Sequence, residues 1–483
     1  MSNISELNPT RVFTFFEYLS SVPHGSGNTK AISDLCVRFA RERGLEVKQD
    51  AINNILIRKP ASAGYENAPA VILQGHLDMV CAKHPEDAVD MAKEPVKLRT
   101  DGKWLWADRT SLGGDDIVAV ATALAVLDDD SLPHPALECL FTVDEEDGMD
   151  GAIGLDPAWI SGRRMLNLDS EDEGVFTVGC AGGAHVNARL AVRRVALPAG
   201  TKIYKLTVDG LRGGHSGVEI DCERGNSNLL TARILLAVAD TCGARVAALD
   251  GGVFDNVIPS KTEAVFAVDA ENAAKAEEQV QKCAAEIRAE LAAADPDVRV
   301  TLEPAAYAGA FVTAADSRRL LSLLFLLPNG VMAMSQSLKG LVQTSLSCGV
   351  LHLEADSLYF NTFVRSSVNS EKETLIKKVT ELLSLYGAEA TVDGHYPAWE
   401  YRADSPLRDA AMRTYKELTG REAKVFATHG GLECGVFSDK LPGLDCIAFG
   451  PNMQEIHSVN ERLDVASVAR FYDLVCAILK NLK

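Results

Sequence analysis

Ala70-Val-Ile-Leu-Gln-Gly-His-Leu-Asp-Met-Val80 is the stretch on which the reading of this chain turns. Its first half is an apolar run bounded by turn residues, which reads as a buried strand over 70–74. Just beyond, His76 and Asp78 stand two apart, so strand periodicity sends both side chains to one face. The pair is either a structural His–Asp hydrogen bond or a metal-ligating imidazole with its orienting carboxylate, because a ligating histidine usually donates its other N–H to an acid.

Working outward, the same grammar recurs. Apolar runs over 137–143 and 164–168 read as further buried strands, and the alanine-rich run over 117–127 between the first two is long enough for a buried helix. Each strand end carries acid. Leu112-Gly-Gly-Asp-Asp-Ile117 places Asp115 before the helix, either as its N-cap or as a carboxylate bridging two cations. Thr142-Val-Asp-Glu-Glu-Asp-Gly-Met-Asp150 is either a solvated loop or a pair of carboxylates that divide labour, Glu146 binding metal and Glu145 accepting a proton. Asp169 in Asn167-Leu-Asp-Ser-Glu-Asp-Glu173 reads as turn chemistry or as a ligand, and His457 in Glu455-Ile-His-Ser-Val-Asn-Glu461 as a surface histidine or as a ligand arriving from the far end of the chain. Taken together, His76, Asp115, Glu146, Asp169 and His457 form a chemically complete set for two divalent cations, with zinc favoured by mixed nitrogen and oxygen ligation and manganese or cobalt allowed. Two such ions roughly 3.5 to 4 Å apart clamp a water and polarise a scissile carbonyl.

The chain of 483 residues is long enough for two or three domains and an ample core. A formal charge of -19 repels nucleic acid and anionic membrane surfaces, so neither is an expected partner. The 11 cysteines show no CxxC pair and read as reduced, mostly buried thiols. No signal peptide follows Met1, and no apolar run is long enough to span a bilayer, so the expected location is the cytoplasm. The fold class expected is α/β, with a mixed sheet flanked by helices in the first part. A helix is expected over 31–43, closed by Gly44. From about residue 185 the texture becomes α+β, with strands over 203–208 and 261–268 and helices over 227–247 and 273–293. A loop is expected over 393–397. The last ninety or so residues return to α/β texture, with helices over 405–418 and 465–482 and strands over 425–428 and 445–449.

At this point the chain resembles a known family, the co-catalytic zinc aminoacylase and carnosinase-like peptidases, and within it the bacterial aminoacyl-histidine dipeptidases. Gly75-His-Leu-Asp-Met-Val80, the Leu-Gly-Gly-Asp-Asp loop, Glu145-Glu146 with Gly148-Met-Asp-Gly151, Leu168-Asp-Ser-Glu171, Cys180-Ala-Gly-Gly183, Gly213-Gly-His-Ser-Gly217 and Ile456-His-Ser458 occur in the family's order across essentially the whole chain. The resemblance implies that His76 and Asp169 bind one metal, Glu146 and His457 the other, and that Asp115 bridges them. It implies Asp78 as the orienting acid, Glu145 as general base and acid, and a cis bond between Asp115 and Asp116. It also implies a catalytic di-metal domain of residues 1–186 and 393–483 and an inserted lid of 187–392 that carries a homodimer contact. His215, Arg365, His429, Gly430 and Gly431 would meet the substrate, with Arg365 suited to a peptide carboxylate. The implied activity is hydrolysis of dipeptides, Xaa-His included; an N-acyl amino acid deacylase or carboxypeptidase on the same centre, or a non-catalytic peptide binder, are the alternatives. Three positions depart from the family's pattern: Asp116 stands where Asn is usual, followed by Ile117 for Gly, and Asp144 stands where Thr is commoner.

Overall fold

Residues 4–483 are described in the computed structural model, and they divide into two compact units. The first runs to Cys180 and takes up the chain again at Trp399–Ala427 and Leu432–Lys483; the second is Ala181–Ala398 with Thr428–Gly431. The joints expected at 186/187 and 392/393 therefore move. The reason is that Gly182–Ala191 and Glu389–Tyr396 are whole strands of the second sheet, paired with Val392 opposite Val186, and a cut at either expected joint would split them. The loop expected over 393–397 is, for the same reason, mostly the end of a strand.

In the first unit an eight-stranded sheet has the order Glu46–Gln49, Ile55–Lys59, Leu137–Thr142, Val71–His76, Arg164–Asn167, Asp445–Ala448, Val175–Cys180, Lys424–Thr428. Its four middle strands, from Leu137–Thr142 to Asp445–Ala448, are parallel. The first three of these are buried almost throughout, as strands covered on both faces must be, which is why they read as continuous apolar runs rather than alternating ones. The helix Gly114–Leu127 packs on Val71–His76, and every residue of it is buried. A smaller four-stranded sheet, Met453–Gln454, Arg462–Asp464, Trp104–Ala107 and Leu98–Thr100, holds a hairpin whose connection carries His457.

The second unit has an antiparallel sheet of nine strands, with helices Ser227–Cys242, Ala273–Glu290, Ala314–Leu326 and Asn369–Leu385 packed on it. Alternation is clean along Gly182–Ala191: Ala184, Val186, Ala188 and Leu190 join the core, while His185, Asn187 and Arg189 face the other way. The helix expected over 227–247 stops at Cys242 because Gly243 takes a left-handed φ of 67° and caps it, and Ala247 and Ala248 beyond belong to the strand Arg245–Gly251. Among the described residues no helix is long and apolar enough to cross a membrane.

Candidate active site

Parallel pairing decides where the acids go. His76 is the last residue of its strand and lies opposite Thr142, and Gln74 lies opposite Asn167, so the segments after Thr142 and Asn167 emerge at the same carboxyl edge as His76. Open α/β sheets build their sites along this edge. Glu145, Glu146 and Asp169 are thereby delivered beside His76 by backbone register alone.

Asp115 arrives from the loop before the buried helix. It is not a cap: the residue before the helix is Gly113, with φ 69°, no side chain caps the first turn, and Asp115 and Asp116 are themselves non-helical. The Asp115–Asp116 bond is cis. What holds the loop is Glu461, whose carboxylate accepts the N–H groups of Leu112, Gly113, Gly114 and Asp115 at 2.8, 3.1, 2.7 and 3.4 Å. Glu461 is buried, and burial together with the Asp115 charge pushes its carboxyl up to about 6 against the N–H donors that favour its charge.

The Asp115 carboxylate faces both imidazoles: Oδ1 lies 3.2 Å from His76 Nε2 and Oδ2 lies 3.2 Å from His457 Nε2. Glu146 Oε1 lies 2.8 Å from His457 Nε2, and Asp169 Oδ2 4.0 Å from His76 Nε2. The five residues singled out as ligands in the sequence thus converge. The donor chemistry fits metal: ligating atoms of His76, Asp115 and Glu146, and likewise of Asp115, Asp169 and Glu171, lie within 4.8 Å of one another. Among the described residues, no lysine or arginine is a leading influence on Asp115, Asp169 or Glu171; burial acts on them most strongly, and after it the two imidazoles and neighbouring acids, Asp116 and Asp172 included. The imidazoles answer by holding protons. Hydrogen bonds to Asp115 and Glu146 push His457 up to about 10, and at His76 the Asp115 and Asp78 carboxylates outweigh burial and raise it well above the usual range. A divalent cation satisfies such a demand better than protons do.

Asp78 ties the centre together. His76 Nδ1 lies 3.1 Å from the Asp78 carbonyl and 3.4 Å from its carboxylate, and the same carboxylate accepts Ser26 Oγ at 2.8 Å and the N–H groups of Glu145 and Glu146 at 3.1 and 3.3 Å. Burial would raise this acid, but these donors hold it below its ordinary value. Glu145 differs: burial, reinforced by Glu433, Glu146 and Asp115 against the His76 charge, pushes it up to about 8.

Several residues at the centre carried no role in the sequence reading. Asp116 points inward, with Oδ2 accepting the His76 N–H at 3.2 Å and occupying the space over Gly75, where a Cβ would lie 2.5 Å from it. Glu433 lies buried beneath the site on Gln74 and Thr142 (2.6 and 2.7 Å). Glu171 joins one of the candidate ligand groups. Nothing in a single sequence separates Glu433 or Glu461 from any other loop or helix acid, although Glu461 stands four residues after His457 and Glu171 two after Asp169. Asp144 Oδ1 accepts the Gly27 N–H at 2.6 Å, so this departure from the family's pattern ties down a neighbouring loop.

The remaining candidates, His215, Arg365, His429, Gly430 and Gly431, all lie in the second unit. Phe363 and Arg365 are two apart on one strand and share a face, which sets the guanidinium carbon 3.9 Å above the Phe363 ring. Arg365 is only 4% exposed, donates to Tyr396 Oη at 2.9 Å, and has no carboxylate partner among the described residues, its Nε being unsatisfied. A buried cation without a carboxylate partner among the described residues has the chemistry to accept an anion. His429 Nε2 lies 2.7 Å from Ser345 Oγ; burial and the Arg365 charge push its imidazole down to about 3, so it is neutral. His215 Nδ1 accepts the N–H groups of Gly217 and Val218 at 3.1 Å each, which fixes the proton of the neutral ring on Nε2; burial and Arg365 lower its pKa. Gly430 N–H donates to Thr428 Oγ1 at 3.0 Å, and Gly431 packs against the Tyr396 ring.

Comparison with known proteins places these features in a family. A Cytosol non-specific dipeptidase of Escherichia coli (strain K12) is 36% identical over 482 residues, covering 100% of this chain and 99% of the relative. The crystal structure of an aminoacylhistidine dipeptidase from Vibrio alginolyticus superposes with a TM-score of 0.93 at 35% identity, over 99% of this chain and 98% of that one. An aminopeptidase PepT from Bacillus cereus, at 18% identity and a TM-score of 0.58 over 99% of both chains, shares the fold. The model of Peptidase family M20/M25/M40 matches residues 72–481, from within the strand that ends at His76 to the last residue of the final helix, and the chain belongs to that family.

Proposed function

We propose that this chain is a cytoplasmic two-zinc dipeptidase of broad specificity that accepts Xaa-His dipeptides such as β-alanyl-histidine. The observation that carries the hydrolytic reading is the Asp115 carboxylate, with one oxygen 3.2 Å from each of two imidazoles brought from opposite ends of the chain. In this reading His76 and Asp169 hold one ion, Glu146 and His457 the other, and Asp115 both, with manganese or cobalt as possible substitutes for zinc. Bound there, the ions would polarise a peptide carbonyl and acidify water. Asp78 fixes the ring of His76 through Nδ1. Glu145 takes the proton of the attacking water and returns it to the leaving amine, a role suited to a carboxyl whose pKa, about 8, lies close to neutrality. Arg365 would take the substrate's carboxylate, His215 would offer its Nε2–H, and His429 with Gly430 and Gly431 would line the substrate. The second unit is proposed as the lid through which two copies pair.

Dipeptides are favoured over other amides by the full-length likeness to two dipeptidases. A panel of β-alanyl-histidine, other Xaa-His dipeptides, an N-acetyl amino acid and a longer peptide, run with metal content measured on the same sample, tests the reading. Two zinc ions per chain and preferential cleavage of dipeptides are expected. Preference for the N-acetyl amino acid would make the chain a deacylase, preference for the longer peptide a carboxypeptidase, and near-zero metal with no gain on adding zinc a peptide-binding protein.

A further inference from the structure

We infer that Tyr396 is a positioning residue for Arg365, and that Gly183 and Gly431 are glycines because the Tyr396 ring must cross them. The inference rests on the reading of Arg365 as the carboxylate site. It starts from sheet register. Gly183 pairs with Arg365 on one side and with Tyr396 on the other, so the three residues form one row across three strands. A side chain on the middle strand would stand between the outer two. At Gly183 there is none, and a Cβ built there would lie 2.6 Å from the phenol ring, so the ring occupies that space. From the other direction Gly431 closes the slot, where a Cβ would lie 2.8 Å from the ring edge. The phenol thus spans the glycine and receives the Arg365 Nη1–H at 2.9 Å.

The position of the tyrosine is fixed independently of Arg365. Lys372 Nζ donates to the Tyr396 carbonyl at 2.8 Å, and the Tyr396 ring stands edge-on to Phe363, 6.5 Å between centroids, while Phe363 lies under the guanidinium. Arg365 is therefore held from below by a ring face and from one side by a hydroxyl. Its Nε has no hydrogen-bond partner among the described residues. A guanidinium oriented in this way presents its remaining N–H groups as a fork, the geometry a carboxylate accepts in bidentate fashion. The hydroxyl orients the fork and contributes no charge of its own, so its loss weakens recognition of the carboxylate and leaves the chemistry of bond cleavage alone.

The test compares a dipeptide with its C-terminal amide, which lacks the carboxylate, in the zinc-loaded full-length protein. Tyr396→Phe keeps the ring in its slot and removes only the hydroxyl. Its KM for the dipeptide should rise roughly 2- to 12-fold, the usual net worth of one ordinary hydrogen bond, with kcat changed by less than about twofold. Kinetics on the amide should not move. Gly183→Ala, which keeps the hydroxyl and pushes the ring aside, should reproduce the same loss of preference for the free carboxylate. A fall in kcat with KM unmoved, an equal effect on dipeptide and amide, or no effect at all in Tyr396→Phe overturns the assignment. A parent protein that hydrolyses no dipeptide instead sinks the functional reading and takes this inference with it, so the two failures are distinguishable.

Discussion

The metal centre and the Arg365 cluster are opposites in charge, and histidine shows it. In the first unit buried carboxylates crowd two imidazoles, and His457 is pushed up to about 10; in the second a buried guanidinium stands beside two imidazoles, and His429 is pushed down to about 3. The residue type is the same and the neighbours decide. An acid-rich pocket whose histidines hold protons is suited to cations, and a pocket whose histidines are neutral beside an arginine with no carboxylate partner among the described residues is suited to an anion.

Removing the cations tests this contrast most severely. Exhaustive chelation should abolish dipeptide hydrolysis and addition of zinc should restore it, measured as turnover against metal per chain; activity that survives with less than a tenth of an ion per chain would sink the two-metal reading. Next in size, Glu145→Gln should retain its metal and lose about 10²- to 10⁴-fold in kcat with KM little changed, the usual contribution of a general base. On the other side of the contrast, Arg365→Met should raise KM by about 10- to 100-fold and spare kcat, because an interaction with a non-reacting carboxylate is made before and during bond cleavage alike. If the arginine variant lost kcat and the glutamate variant lost binding, the division of labour would be reversed.

The smallest effect concerns Asp116. Burial raises its carboxyl well above the usual range, and Asp115 and Glu433 add to the shift. A folded-state pKa above the unfolded value means that the native state binds the proton more tightly, so stability is full below the unfolded pKa and falls as pH rises toward the folded one. Asp116→Asn, which removes the titration and keeps the shape, should therefore raise the Tm of the chelated protein more at pH 8 than at pH 5. An equal shift at both values, or a greater one at pH 5, would show that the acid is not held neutral.

The convergence of the candidate ligands was legible in sequence because parallel strands write their ends plainly. A buried strand is an apolar run, and the first polar residues after it, at His76, Glu145–Glu146 and Asp169, fall at the carboxyl edge where register gathers them. His457 and Asp115 are different. Neither ends a strand, each has an ordinary alternative as surface residue or helix cap, and only the company of the other ligands and the family resemblance distinguished them. Glu461 and Tyr396 were invisible for a physical reason: what each does depends on a partner hundreds of residues away or on a neighbouring strand, Glu461 on the N–H groups of Leu112–Asp115 and Tyr396 on a glycine beside it in the sheet. The domain joints were misplaced by a few residues because composition changes gradually, whereas a hydrogen-bonded strand such as Gly182–Ala191 belongs wholly to one sheet. Gly243 was a stop signal inside an alanine-rich run, and its left-handed φ outweighed the helix propensity around it.

The clamp of Glu461 on the Leu112–Asp115 backbone has a bearing on synthesis. A ribosome delivers residues in order, and the loop that aims Asp115 is complete long before the acid that restrains it emerges, 346 positions after Asp115 itself. Until then four peptide groups of that loop lack the partner that shapes it. The nascent polypeptide can pair the first three parallel strands early, yet the Asp115 carboxylate gains its final aim only when nearly all of the chain has been made, so that hydrolytic competence becomes one of the last properties this protein acquires.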